Sequence, residues 1–200
     1  MFKRPPDPYA RLMARVELTR GDLAIDCGAN VGKVTRHFAR TGATVHAFEP
    51  NPYAFAELQA RCGRMPNVHL YQQGVHTQDT TMKLYLHEFA ADDQVGWSQG
   101  SSMLDFKSNI NPETYVDVPV VDLVRFIEGL GQRVAVLKMD VEGVEIPILN
   151  ALIDTGTIHR IDLLLCELHD HRVPELKDDA DALRERIAAE NLTHIKFDWI

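Results

Sequence analysis

Apolar and polar positions alternate in blocks along this chain, and the spacing of the apolar positions switches between that of a strand and that of a helix. Short, largely apolar runs at 23–25, 134–137 and 161–166 have the composition of strands that are buried on both faces. A segment with apolar residues at helical spacing follows each run. This alternation predicts an α/β fold with a doubly wound, mostly parallel sheet and right-handed crossovers.

Shorter signals supply the remaining core elements. Residues 44–48 and 67–71 read as the second and third strands, and residues 193–199 read as a sixth. Asn51 is a good N-cap, and Pro52 suits the first position of the helix that follows. The pattern therefore predicts six core strands.

The stretch between the third and fourth core strands breaks this order. Residues 81–87 alternate apolar and polar, which predicts a half-exposed strand of a small β-hairpin, paired with a neighbour near Val75. Residues 90–113 are polar, and a loop of this length in a compact domain is usually functional or mobile. The segment is a candidate substrate lid, and a plain surface excursion is the alternative.

Composition and charge narrow the class of protein. Two hundred residues with 45% hydrophobic content suit one domain at 21–200, preceded by an extension at 1–20 that carries a short helix at 9–18. The net charge of −8 argues against an extended nucleic-acid surface. No apolar run has the length of a signal peptide or of a membrane span, and the three cysteines show no paired spacing. We expect a cytoplasmic protein with reduced thiols and with no nucleic-acid or membrane partner.

Candidate chemistry starts at the glycine turn after the first strand. Gly28 and Gly32 lack Cβ atoms, so a ligand can approach the backbone N–H groups at the start of the next helix. Asp26 precedes the turn, and Asn30 stands where a dinucleotide fingerprint has its middle glycine. An acid here disfavours a pyrophosphate and favours a ligand with an ammonium group, such as the aminoacyl part of S-adenosylmethionine. The alternative is that Asp26 and Asn30 only hydrogen-bond the turn.

Two more residues at strand ends extend this candidate cofactor site. Glu49 ends the second strand, where a carboxylate can accept hydrogen bonds from both ribose hydroxyls of NAD or of S-adenosylmethionine. A solvated acid at a strand end is the alternative for Glu49. Gln73 follows the third strand, at a turn where an adenine could lie.

Four stretches, in matching order, resemble the FkbM family of S-adenosylmethionine-dependent O-methyltransferases, which have the class I methyltransferase fold. Residues 25–32 resemble the family's cofactor loop, and residues 47–51 resemble its ribose-binding strand end. Residues 137–145 resemble its most specific block, Lys-x-Asp-x-Glu-Gly-x-Glu, and residues 118–123 are similar to the segment that precedes that block. The resemblance covers about residues 22–170.

This resemblance implies a Rossmann-like fold and methyl transfer to a hydroxyl of a small molecule or of a sugar or glycan. A non-catalytic S-adenosylmethionine-binding regulator or subunit is the alternative. Class I methyltransferases usually finish with an antiparallel hairpin at the sheet edge, whereas this sequence predicts nothing beyond the sixth strand. An exposed edge there leaves both a monomer and a homodimer open.

The acids at the strand ends are candidates for the chemistry, because open parallel sheets bind ligands there. Asp140 is a candidate contact to the methionine part of the cofactor or to the acceptor, and the turn after it allows Glu142 to converge with it. For the proton of the acceptor hydroxyl, His169 could be the general base. Alternatively, Asp140, Glu167 and His169 could hold a divalent cation such as Mg²⁺ that acidifies the hydroxyl. Glu145 is expected to be a favourable charge at a helix N-terminus rather than a catalytic group.

Overall fold

A computed structural model describes residues 16–87, 95–96, 101–103, 110–171 and 173–197, without the side chains of residues 111 and 112. Six parallel strands form the main sheet in the order β3-β2-β1-β7-β8-β9. Their bounds are β1 Leu23–Cys27, β2 Thr44–Phe48, β3 Val68–Tyr71, β7 Val134–Met139, β8 Ile161–Cys166 and β9 Ile195–Lys196. The predicted doubly wound α/β fold is confirmed.

Helices cover both faces of this sheet. They are α1 Lys33–Arg40, α2 Pro52–Cys62, α3 Leu123–Gly129, α4 Glu145–Asp154 and α5 Lys177–Ala189, with 3₁₀ turns at Thr157–Arg160, His169–His171 and Pro174–Leu176. Ala24 of β1 packs in a cluster with Phe38 of α1, whereas the next residue, Ile25, packs on the opposite face in the cluster that contains Leu149 of α4. Because successive side chains of a strand point to opposite faces, a continuous apolar run is what a sheet covered on both sides requires.

The predicted start of α2 is confirmed. The Asn51 side chain accepts hydrogen bonds from the backbone N–H groups of Tyr53 and Ala54, and Pro52 occupies the first helical turn. This cap fixes the chain direction directly after β2, at the edge of the sheet where ligands bind.

A second, three-stranded sheet lies between β3 and β7 in the sequence. It consists of β4 Gly74–His76, β5 Thr80–His87 and β6 Ile110–Asp122, in the order β4-β6-β5. The prediction that β5 pairs with a neighbour near Val75 is wrong, because β6 lies between β4 and β5. β6 pairs in parallel with β4 and in antiparallel with β5, so one long strand satisfies the backbone groups of both short ones.

Several predictions fall partly or wholly outside the described residues. Most of the 1–20 extension does, and Val16 to Leu18, which we predicted to be helical, are not helical but bury two side chains beside α1. Most of the candidate lid also does, apart from residues 95–96 and 101–103 and the first residues of β6. β9 is shorter than the predicted strand. No helix among the described residues is long and apolar enough to cross a membrane.

Candidate active site

A cavity of about 310 Å³ opens at the carboxyl ends of β1, β2 and β7. Gly28 after β1, Glu49 after β2 and Asp140 after β7 all line it. From β1 the chain first adds β2 and β3 on one side of β1, and later adds β7, β8 and β9 on its other side. The cavity therefore lies where the strand order reverses, between β1 and β7. Ligands bind at this switch point in open α/β sheets.

The glycine turn forms one wall of the cavity and is clamped from both sides. Gly28 and Ala29 donate backbone hydrogen bonds of 3.0 and 2.9 Å to the carbonyl oxygen of Phe48. Gly28 has a φ of +75°, and a Cβ at this position would collide with the backbone carbonyl oxygen of Asp140. Only glycine fits there, so the ends of β1 and β7 touch directly beside the cavity.

Gly32 has a different part in the same turn. It does not line the cavity. It adopts a φ of +78° at the N-cap of α1, and a Cβ there would lie 2.7 Å from Cδ1 of Leu58 on α2. Gly32 therefore allows α1 and α2 to pack closely behind the turn, while Asn30, with a φ of +48°, faces the cavity.

Glu49 is buried and its carboxylate braces two loops. Its Oε2 accepts a 2.7 Å hydrogen bond from the backbone N–H of Asn30, and its Oε1 accepts one of 2.8 Å from that of Asn51. Burial raises its pKa to about 7, although both backbone hydrogen bonds lower it. A carboxylate has about four acceptor positions, so two remain for a ligand in the cavity.

Lys138 is a buried cation under the glycine turn. From the sequence we expect only that it pairs with a nearby acid. Its Nζ donates hydrogen bonds of 2.6 Å to the carbonyl oxygen of Gly28 and 3.2 Å to that of Cys27. The same Nζ lies 3.4 Å from Oδ1 of Asp26 and 3.6 Å from Oδ2 of Asp140. Burial alone would lower the pKa of Lys138, but the two carboxylates raise it above its usual value.

Asp26 is fully buried and does not line the cavity. Its Oδ2 accepts a 2.6 Å hydrogen bond from the Thr35 hydroxyl on α1. With Lys138 on its other oxygen, Asp26 supports the turn from below. Its predicted part in cofactor binding stays a prediction, and any such part would run through Lys138.

The turn after β7 brings Asp140 and Glu142 together, as the sequence suggested. β7 ends at Met139, and Glu142 has a φ of +61°, which is uncommon for a residue other than glycine. Both side chains line the cavity together with Glu167. Three carboxylates therefore gather on one side of the cavity. Among the described residues that line it, the basic ones are Lys33 and Lys138.

His169 lies behind these carboxylates and is 1% exposed. Its Nε2 is 3.4 Å from Oε2 of Glu142, 3.7 Å from Oδ1 of Asp140 and 3.9 Å from Oε1 of Glu167. Its Nδ1 lies 2.8 Å from Oε1 of Glu145. Burial would lower the pKa of His169, but the hydrogen bond and charge of Glu145, with the neighbouring carboxylates, raise it to about 9.

Glu145 does more than the helix-end charge that we expected. It is the first residue of α4, 1% exposed, and it accepts hydrogen bonds from the backbone N–H groups of Val141 and Gly143 as well as contacting His169. The final Glu of the Lys-x-Asp-x-Glu-Gly-x-Glu block was the only sequence signal for this position. Glu145 fixes both the turn and the imidazole.

The predicted site residues thus divide into two groups. Those that line the cavity are Gly28, Asn30, Glu49, Gln73, Asp140, Glu142 and Glu167, and those that lie behind its wall are Asp26, Gly32 and His169.

Sequence reasoning also gave no role to two serines of the candidate lid. Ser101 lines the cavity and accepts a 3.1 Å hydrogen bond from the Asn51 side chain. The Ser102 hydroxyl donates one of 2.7 Å to the carbonyl oxygen of Glu142. These two residues join the segment to both sides of the cavity.

The sequence matches the model of the Methyltransferase FkbM domain over residues 26–193. The chain belongs to the FkbM methyltransferase family. The resemblance seen in the four sequence stretches is confirmed, and the match includes every residue that lines the cavity.

Individual relatives agree with this family. The chain is 30% identical over 179 residues to the 31-O-demethyl-FK506 methyltransferase FkbM of Streptomyces tacrolimicus, covering 78% of this chain and 68% of that protein. It is 28% identical over 164 residues to Methyltransferase 1 of Beauveria bassiana (strain ARSEF 2860), covering 74% of this chain and 65% of that protein. The match thus spans about two thirds of each relative.

A solved structure has the same fold. The crystal structure of the methyltransferase FkbM from Methylobacillus flagellatus KT superposes with a TM-score of 0.52 at 15% identity, covering 85% of this chain and 38% of that one. At this identity the likeness concerns the fold. The Rossmann-like methyltransferase fold predicted for this chain is confirmed.

Proposed function

We propose that this FkbM-family chain is an S-adenosylmethionine-dependent O-methyltransferase that acts on a hydroxyl of a small molecule or of a sugar or glycan. The observation that carries the proposal is Glu49. Its buried carboxylate faces the cavity beside the glycine turn, and within the described part of the chain backbone N–H groups occupy two of its acceptor positions. Two hydroxyls of one ribose match the two that remain.

The other cavity-lining residues divide the cofactor among them. Gln73 lies beyond β3, on the side expected for the adenine. Gly28 and Asn30 line the part of the cavity beside the turn, where the aminoacyl part would lie. Asp140, on the far side of the turn, suits the ammonium group of the methionine part or the acceptor hydroxyl. Lys138 holds the carbonyl groups of the turn in place and is a positioning residue in this scheme.

Bound in this cavity, S-adenosylmethionine would supply an electrophilic methyl group on its sulfonium sulfur for in-line transfer to the acceptor oxygen, with S-adenosylhomocysteine as the other product. The hydroxyl proton passes to a carboxylate that faces the cavity, either Asp140 or Glu142. His169 is less suited to be this base, because it does not line the cavity and its ring is surrounded by carboxylates that favour the protonated form.

Charge around the cavity supports a small acceptor rather than a nucleic acid. Asp140, Glu142 and Glu167 line the cavity, and the chain carries a net charge of −8. Phosphate groups would be repelled there. We also infer a cytoplasmic site of action, since Cys27, Cys62 and Cys166 are all buried as free thiols.

Calorimetric titration of the full chain tests the cofactor. S-Adenosylhomocysteine should bind and NAD should not. Glu49→Gln should weaken binding about tenfold or more, because hydrogen bonds to a charged group contribute about 1.5–3 kcal/mol. The matched control is Glu57→Gln, an exposed acid of α2, which should bind like the wild type. Tight binding of NAD alone, or equal affinity in Glu49→Gln, would contradict the assignment.

Turnover separates the enzyme from a non-catalytic binder. Transfer of a labelled methyl group to a set of hydroxylated acceptors should occur with the wild type. It should fall at least tenfold in Asp140→Asn, while the variant still folds. Binding of S-adenosylhomocysteine with no transfer to any acceptor would favour the regulatory or subunit alternative.

A further inference from the structure

One buried polar atom next to the cavity has nothing to bind. Nε2 of His169 has an accessible surface below 1 Å² and no hydrogen-bond partner among the described residues. A buried polar group without a partner costs free energy, so such an atom calls for a ligand. Carboxylate oxygens of Glu142 and Asp140 lie 3.4 and 3.7 Å from it.

The protonation of His169 is set from its other side. The carboxylate of Glu145 can only accept a hydrogen bond, so Nδ1 of His169 carries a hydrogen and donates it. In the neutral ring this leaves a lone pair on Nε2, the nitrogen that lies 3.4–3.9 Å from the carboxylates. Histidines that bind a metal ion through one ring nitrogen commonly donate a hydrogen bond from the other nitrogen to a carboxylate, which orients the ring in the same way.

Three potential ligand atoms lie close together. One atom each from Asp140, Glu142 and His169 lies within 4.8 Å of the other two. Two ligands that bind one ion at about 2.1 Å with a tetrahedral angle are about 3.4 Å apart. The distances from Nε2 to the two carboxylates agree with this value to within a few tenths of an ångström.

The backbone holds this arrangement before any ion arrives. Glu145 accepts hydrogen bonds from two N–H groups of the turn, and Ser102 donates to the carbonyl oxygen of Glu142. Glu142 itself is held at a positive φ. Unusual backbone conformations of this kind persist only where the surroundings enforce them, and they cluster at functional sites.

We propose that Asp140, Glu142 and His169 bind a divalent first-row transition-metal ion, with Glu145 as the outer residue that orients the imidazole. This ligand set differs from the sequence expectation in two respects. Glu142 takes the place of Glu167, and an imidazole nitrogen favours ions such as Mn²⁺ or Zn²⁺ over Mg²⁺, which prefers oxygen ligands.

The ion would lie in the cavity wall, because Asp140 and Glu142 both face the cavity. With three protein ligands the ion would have a coordination position left for an acceptor oxygen, and it would make that hydroxyl more acidic. Its part in catalysis rests on the proposed methyl transfer, whereas the binding of the ion does not.

The competing account is a protonated His169 that forms ion pairs with the same carboxylates. Titration of the metal-stripped full chain with Mn²⁺, followed by electron paramagnetic resonance of the free ion, separates the two. We expect one saturable Mn²⁺ site per chain. Zn²⁺ should displace the bound Mn²⁺, and a tenfold excess of Mg²⁺ over Mn²⁺ should not. Absence of saturable binding of both Mn²⁺ and Zn²⁺, or equal competition by Mg²⁺, would overturn the proposal.

Variants locate the site. His169→Asn and Glu142→Gln should each weaken Mn²⁺ binding at least tenfold, and Glu145→Gln should weaken it about 10- to 100-fold through the imidazole. His171→Asn, in the same 3₁₀ turn but exposed, is the matched control and should bind Mn²⁺ normally. If His169→Asn fails to fold, Glu142→Gln decides. Unchanged Mn²⁺ affinity in a folded Glu142→Gln variant would refute the ligand set.

Titration with S-adenosylhomocysteine in the same preparation keeps the two proposals apart. Cofactor binding without Mn²⁺ or Zn²⁺ binding leaves the proposed function standing and removes the metal site. Metal binding without cofactor binding does the reverse.

Discussion

Lys138→Met provides the sharpest test of how the site is held together. The substitution keeps most of the length of the side chain but removes a cation that contacts two carbonyl oxygens and two carboxylates. Asp26, which is fully buried, loses its ion-pair partner. Removing one member of a buried ion pair typically costs about 3–5 kcal/mol.

A second effect adds to this cost but not in full. Each hydrogen bond from a charged donor contributes about 1.5–3 kcal/mol, and Lys138 donates two to the glycine turn. Contacts that share one ammonium group are not additive. We therefore expect Lys138→Met to lower the free energy of unfolding by about 3–5 kcal/mol, a large part of what a domain of this size has.

Urea unfolding at pH 7, monitored by circular dichroism, measures this loss. Lys83→Met is the matched control, because Lys83 is exposed and its main partner is the ring of Tyr115, 4.0 Å from Nζ to the ring centroid. It should cost less than about 1 kcal/mol. The double variant Asp26→Asn/Lys138→Met should lose less than the sum of the single variants, since it leaves no unpaired charge at position 26.

Two results would refute this reasoning. A loss below about 1 kcal/mol in Lys138→Met would mean that water or another group replaces the ammonium. Additive losses in the double variant would mean that Lys138 and Asp26 do not act as a pair.

Three further outcomes follow from the same structure. Burial raises the pKa of Glu49 to about 7, and only its ionised form can accept hydrogen bonds from two ribose hydroxyls. The affinity for S-adenosylhomocysteine should therefore fall as the pH drops from 8 to 6. Calorimetry should show this fall in the wild type and not in Glu49→Gln. Gly28→Ala should lose more than about 2 kcal/mol of stability in urea unfolding, because the added Cβ collides with the Asp140 carbonyl and the positive φ itself costs about 1–2 kcal/mol. Gly131 also has a positive φ, of +69°, but an added Cβ would meet no atom within 4 Å. Gly131→Ala should therefore lose only the cost of the backbone conformation. Burial lowers the pKa of His46 to about 4, below its ordinary value of 6.5. Folding stability, measured by chemical unfolding, should therefore decrease by up to about 3 kcal/mol as the pH falls from 6.5 to 4. The same decrease in a His46→Gln variant would assign that loss to other groups.

Features encoded by neighbouring residues could be predicted from the sequence. Asn51 before Pro52 is a local capping signal, and it produced the cap that it predicted. The apolar run at 134–137 became a strand buried on both faces. Gly28 was expected to turn the chain at a ligand site, because both the strand before it and the helix after it have clear local patterns.

Features that depend on distant partners could not be predicted. The partner of β5 is β6, which begins more than twenty residues later, and no local pattern distinguishes β6 from β4 as the neighbour. Glu145 looked like a helix-end charge because its contact to His169 spans 24 residues. The burial of His169 itself depends on where the turn after β8 packs, which its polar sequence neighbours do not indicate.

The direct contact between Gly28 and the backbone of Asp140 has an evolutionary consequence. The turn after β1 and the turn after β7 have no space between them at position 28, so any side chain there displaces the backbone of Asp140. On the proposed function, a change at position 28 that altered the acceptor side of the site would also disturb the donor side. New acceptor ranges in this family should therefore arise from segments attached at the rim, such as the one that Ser101 and Ser102 anchor, while the junction stays unchanged.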